Sequence, residues 1–173
     1  MLRTIISGID AVSTLVAKWS KWIIMIVVFE MFYEVCARYF FNRPTIWSYD
    51  LSYMLGGAFF TLGLCYVHRL DRHVRVDVFY TMFSPRAKAI IDIVMSLLIF
   101  FPTFSMLIVK MFPYVVTSWQ RGEKAVGSFW GPPIYPLKTV VLMAIILLWL
   151  QGLSNFLKDV QILAGKTREE VGK

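Results

Sequence analysis

Four long apolar stretches, separated by short segments that hold most of the charge, constrain the fold of this 173-residue chain more than any other feature. They run over about 22–41, 51–67, 89–112 and 134–157. A helix needs roughly 20 residues to cross a hydrocarbon core about 30 Å thick, and each stretch meets or approaches that length. Charged residues make up 17% of the chain, below the ~25% usual in soluble domains. The expected fold is therefore an all-α membrane protein with four transmembrane helices. One domain covers residues 1–165, followed by a charged tail over 166–173.

Ahead of the first span, Ile5, Ile6, Ile9, Val12, Leu15 and Val16 recur at helical spacing among Asp10, Lys18 and Lys21. This predicts an amphipathic interfacial helix over residues 1–21, with Trp19 and Trp22 at headgroup level. The first apolar stretch is too long for a secretory signal peptide, and no small-residue cleavage site follows it.

Lysine and arginine set the orientation. Twelve lie in the N-terminal segment, the loop after the second span and the tail, against four (Arg43, Lys110, Arg121, Lys124) on the opposite side. The positive-inside rule then places both termini and that loop in the cytoplasm. The net charge of +7 is read as topology, and no nucleic-acid partner is expected, since no recognition motif accompanies it. The loop segment "HRLDRHVRVDVFY", His68 to Tyr80, carries Arg69, Arg72 and Arg75, which suit anionic phospholipid headgroups at roughly 1 kcal/mol each. Val74, Val76 and Val78 alternate with Arg75 and Asp77, which suits an extended segment. The pairs His73 with Asp77 and Asp71 with Arg75, however, stand at i,i+4, which favours a short interfacial helix or tight turn.

The costliest residues are in the first span. Glu30 and Glu34 fall near its middle, and Arg38 follows on the same helical face. A charge at mid-span costs roughly 2.5–3.5 kcal/mol on insertion scales, so this face must be paired, protonated or pressed against protein. It is a proton or substrate site, or a polar seam that joins the helix to a partner, and the seam is favoured.

In the second span Ser52, Gly56 and Gly63 share one side, a pattern of close helix contact. Asp50 stands at its entrance, near the positive end of the helix dipole, with Ser48 as N-cap. Pro102 is expected to kink the third span or to be absorbed by its neighbours. The segment "TSWQRGEKAVGSFWGPPIYPLK" places Trp119, Phe129, Trp130 and Tyr135 at the outer interface or on a docking surface for a partner outside the membrane. Cys36 and Cys65 lie near opposite ends of antiparallel spans, about 15–20 Å apart, too far to bridge.

No phosphate-binding glycine loop, dinucleotide fingerprint, zinc-protease motif or paired CxxC is present. Neither an enzyme nor a cofactor is expected. His68 and His73 sit in a loop whose arginines oppose a metal cation.

The segment "ARYFFNRPTIWSYDLSYMLGGAFFTLGLCYVHRLDRHVRVDVF" resembles the small membrane (Q) subunit of TRAP, the tripartite ATP-independent periplasmic transporters. The matching positions are Arg38, Pro44, Ile46, Trp47, Asp50, Gly63, His73, Val74, Val76 and Asp77. Many members carry two acids after the tryptophan, whereas this chain reads Ser48-Tyr49-Asp50 and keeps one. The resemblance implies a sodium-driven system in which a large, elevator-type membrane subunit holds the sodium and substrate sites. The small subunit packs against its fixed scaffold, and a periplasmic binding protein delivers an organic acid.

On that expectation Glu30, Glu34, Arg38, Gly56, Gly63, His73, Arg75 and Asp77 meet the partner subunit or the membrane. Trp47, Asp50, Lys124 and Trp130 help dock the binding protein, and the chain itself binds no substrate. The alternative is an independent small proton-coupled transporter with Glu30 or Glu34 as carrier.

Overall fold

A computed structural model describes residues 2–69 and 84–164. His73, Arg75 and Asp77, with most of the His68–Tyr80 segment, lie outside the described residues, as does the tail over 166–173. The described residues form helices α1 (Leu2–Tyr39), α2 (Ser48–Arg69), α3 (Pro85–Met95), a π-helical turn (Ser96–Phe100), α4 (Phe101–Arg121) and α5 (Tyr135–Leu163). α3, the π turn and α4 run on as one rod, so four helical rods are long and apolar enough to cross a membrane.

α1 is one unbroken helix of 38 residues, about 57 Å long. No separate element ends at residue 21: helical geometry continues from the amphipathic stretch into the apolar one. The C-terminal end of α1 is turned by Asn42, whose φ of 53° is a left-handed conformation that asparagine tolerates. The Arg43 N–H returns to the Ala37 carbonyl at 2.9 Å. Trp47, rather than Ser48, caps α2, because the Leu51 N–H bonds the Trp47 carbonyl at 3.0 Å. Ser48 thereby becomes the first helical residue, and its hydroxyl is free to face α1. α2 also runs past the expected end of its span, so His68 and Arg69 form its last turn.

α5 is the axis of the assembly and packs against all the other helices. α1 and α2 pair on one side of it, and α3 and α4 lie on the other. The buried apolar residues are mostly small: Ala37, Ala58, Cys65, Ala89 and Ala144. The largest fully buried side chains include Gln151, Ser13, Ser118 and Ser154. Small residues that let backbones approach, together with hydrogen bonds between helices, are the means of association when lipid tails are as apolar as leucine. Cys65 follows the same rule, donating to the Ala144 carbonyl at 3.2 Å, and neither it nor Cys36 is in a disulfide.

Pro102 is absorbed by the π turn that precedes it. The Phe101 N–H bonds Ser96 O, one residue further back than in an α-helix. The wider turn carries Phe100 inward, where its ring stacks on His68 of α2, centroids 5.1 Å apart and planes 3° apart. It also packs against Phe104 at 4.6 Å. Beneath the ring lies Gly152 of α5, where a Cβ would stand 2.1 Å from the nearest ring carbon. Only glycine admits the aromatic wedge there.

Replacing Gly152 with alanine should therefore drive Phe100 against His68 and Phe104. We expect a loss of about 1–3 kcal/mol, read as a lower midpoint of thermal unfolding in detergent. Gly152→Ala paired with Phe100→Leu should recover most of it.

Candidate functional site

Two buried polar clusters hold α1 in place, one toward each end. At the first, Glu30 and Glu34 stand a helical turn apart and face the corner between α1 and α2. The Glu30 carboxylate accepts from the Ser48 hydroxyl and from the Ser52 hydroxyl at 2.5 Å. Glu34 accepts from Arg38 Nη2 at 2.6 Å and Nε at 3.0 Å, from the Thr45 backbone N–H at 3.0 Å, and from the Thr45 hydroxyl. Both acids are buried, whereas the Arg38 side chain is largely exposed.

These contacts also revise where the acids stand. α2 begins level with Glu30, so within the helix pair the two glutamates flank the end of α2 and not its middle. The α1–α2 turn and the first turn of α2 supply the groups that satisfy them.

Beside this corner sits the segment between α4 and α5. Gly122, in the left-handed conformation at φ 57°, caps α4. The Ala125 N–H bonds Pro132 O at 2.9 Å and the Ile134 N–H bonds Glu123 O at 3.0 Å, closing the loop on itself. Asp50 accepts from the Ser128 hydroxyl, and the Ser128 oxygen in turn accepts the N–H groups of Trp130 (3.1 Å) and Gly131 (3.0 Å). At the loop's base Glu123 meets Lys138 Nζ at 2.5 Å and the Ser118 hydroxyl at 2.7 Å. Lys138 also lies over the Tyr114 ring, 3.8 Å from its centroid. The ammonium of Lys138 and the hydroxyl of Ser118 hold the Glu123 carboxyl below its ordinary value of 4.5.

The expected docking residues thus gather at one end of the molecule, in different settings. Lys124 and Trp130 are exposed on the loop, and Asp50 is spent internally on Ser128. Trp47 is half-buried, stacked on Tyr33 at 6.0 Å. The residues that project furthest are Val126 and Phe129, 97% and 98% exposed.

The second cluster went unnoticed in the sequence. Asp10 of α1 accepts from Lys158 Nζ (2.7 Å), Gln151 Nε2 (2.8 Å) and the Ser154 hydroxyl (3.0 Å), all from α5. The Ser13 hydroxyl donates to Gln151 Oε1 at 2.6 Å, and Asn155 donates to the His68 carbonyl at 2.8 Å. Arg69 reaches the Thr14 hydroxyl. The signal was available: Gln151, Ser154, Asn155 and Lys158 recur at three- and four-residue steps on one face of an apolar helix, and Asp10 and Ser13 are three apart.

Among the described residues Gly56 and Gly63 form no close contact, since a Cβ at either would meet nothing within 4 Å. Between α1 and α5, with Leu62 at its back, opens a cleft of about 390 Å³. Its walls are apolar except for Ser20, whose hydroxyl is donated to Ala17 O. Such walls suit hydrocarbon and offer nothing to orient an organic anion. Among the described residues, no group of three His, Cys, Asp or Glu side chains is arranged to hold a metal ion.

The family model described as "Tripartite ATP-independent periplasmic transporters, DctQ component" matches residues 24–162. No curated protein matches the chain.

The loop base supplies a pH test. Because the folded-state pKa of Glu123 is depressed, its contribution is present above the ordinary carboxylate value and is lost as pH falls through the lowered one. Emission from Trp119 and Trp130 should therefore hold steady down to about pH 4.5 and change only below it. Lys138→Met should move that change to higher pH.

Proposed function

The chain belongs to the DctQ component family of the tripartite ATP-independent periplasmic transporters, and on that premise we propose how this small membrane subunit works. The family is a transporter component family and not a catalytic one. It makes this chain a multi-pass inner-membrane protein, working beside a large membrane subunit and a periplasmic binding protein. In the proposed arrangement the chain is the non-catalytic partner in sodium-driven uptake of an organic acid. It packs against the fixed part of the large subunit and helps seat the binding protein. Both termini and the segment containing His73, Arg75 and Asp77 face the cytoplasm, where the arginines meet phospholipid headgroups. The lysine and arginine distribution supports this orientation.

The observation that carries the reading is the internal engagement of Glu30 and Glu34. Each carboxylate is met by donors from the α1–α2 corner, and Glu34 is also bound by Arg38. Carboxylates used in this way join helices. An independent proton-coupled carrier would draw on the same two acids, but it needs them to release and regain protons along a path, and the donors around them favour a static bond.

Docking follows from the other end of the same corner. The loop between α4 and α5 is braced at Asp50–Ser128 and Glu123–Lys138, so Val126 and Phe129 are presented without an ordering cost. Lys124 and Trp130 border them, and Trp47 stands nearby. Two apolar side chains on a braced, basic-edged loop fit an apolar patch with an acidic rim on a soluble partner.

The reading is tested with the chain co-expressed with its large subunit and assayed for uptake driven by the binding protein. The unaltered chain should co-purify with the large subunit and support uptake. Val126→Ser combined with Phe129→Ser should leave the membrane complex intact and raise the concentration of binding protein needed for half-maximal uptake about tenfold. An unchanged concentration dependence would remove the loop from docking, and transport by this chain alone in liposomes would remove the scaffold role.

A further inference from the structure

One face of α2 carries a pattern that nothing among the described residues covers. Tyr49, Tyr53, Gly56, Phe60, Gly63 and Val67 follow one another at steps of four, three, four, three and four residues. Six positions at that alternation form a single stripe along one face of a helix. The stripe lies opposite the buried side of α2, where Ala58 and Cys65 face α5. Tyr49, Tyr53 and Phe60 are 80%, 70% and 67% exposed, and Gly56 between Tyr53 and Phe60, with Gly63 a turn beyond, opens onto space among the described residues.

We propose that this stripe is the seat for a helix of the large membrane subunit, which packs along α2 in a left-handed crossing of about 20°. The inference rests on the function proposed above and names the surface that serves it. Two features favour a helix over lipid tails. Glycine weakens a helix relative to alanine, which lipid contact does nothing to offset and close backbone approach does. The Tyr53 hydroxyl lies a turn inside α2, where hydrocarbon cannot bond it and a helix with polar groups can.

The other exposed faces lack this combination. The stripe on α4 holds Met106, Val109 and Phe112, and no glycine occurs in that helix. Aromatic knobs beside glycine hollows on α2 instead give a toothed surface, matched to a partner whose side chains fill Gly56 and Gly63.

The hollow glycines make the test clean, because a Cβ at either position meets nothing within 4 Å among the described residues. Gly56→Leu and Gly63→Leu should leave the thermal midpoint of the purified chain unchanged. They should lower its recovery with the co-expressed large subunit by about tenfold or more. A benzophenone amino acid at Tyr53 or Phe60 should cross-link to the large subunit, and one at Val109 should not.

Wild-type recovery of both leucine variants, cross-links only to a second copy of this chain, or cross-links to lipid alone would each overturn the proposal while leaving the subunit's function standing. If instead the unaltered chain fails to recover the large subunit, the proposed function falls, and this surface with it.

Discussion

A carboxylate carried into a bilayer has no water to turn to, and α1 carries three acids into or beside one. An unmet buried polar group costs about 1–3 kcal/mol, and more when charged, so each acid dictates what must stand beside it. Glu30 requires Ser48 and Ser52, which fixes the register of α2 against α1. Asp10 requires Gln151, Ser154 and Lys158, which fixes α5 against the opposite end of the same helix. With α1 clamped at two levels, small residues suffice elsewhere, and the interior needs few large aliphatic side chains. Phe100 adds an aromatic wedge that the π turn swings inward and Gly152 accommodates.

That arrangement was only partly legible in the residue order. The four helical rods follow from apolar length alone, because hydrocarbon thickness sets a scale that no soluble helix must obey. The importance of Glu30, Glu34 and Arg38 was also legible, since charge inside an apolar stretch has to be explained.

Their level in the bundle was not. An apolar window shows how long a helix is, but the donors that satisfy an acid decide which part of it lies beside its neighbour. Ser48 misled for a related reason: serine ahead of a helix reads as a cap, and here Glu30 competes for its hydroxyl and wins while Trp47 takes the cap position. The Asp10 cluster was missed because its members lie some 140 residues apart and each looks ordinary alone. The glycines of α2 read as a face for close helix approach, yet Gly56 and Gly63 meet nothing among the described residues, since sequence does not say whether a hollow is filled from within or from outside.

For a subunit of a tripartite transporter the consequence is a division between a braced frame and its presented surfaces. The two polar clusters and the Glu123–Lys138 pair use Asp10, Glu30, Glu34, Glu123, Lys138 and Lys158 to hold shape. The surfaces proposed for partners are chiefly apolar: the stripe on α2 and the loop tip at Val126 and Phe129. A frame built this way suits a component that stays still while another moves.

The central claim is that the acids of α1 are structural bonds and not proton carriers. It is tested most directly by reconstituting the full transporter with Glu30→Gln and Glu34→Gln in this chain and measuring uptake against sodium and proton gradients. Glutamine keeps one acceptor oxygen, for one serine at Glu30 and for Thr45 at Glu34. Its NH2 can donate to the other serine hydroxyl, while the ionisable proton site is removed. The account predicts uptake with the same sodium dependence and the same pH response as the unaltered complex. Loss of coupling to either gradient, in a complex that still assembles, would contradict it.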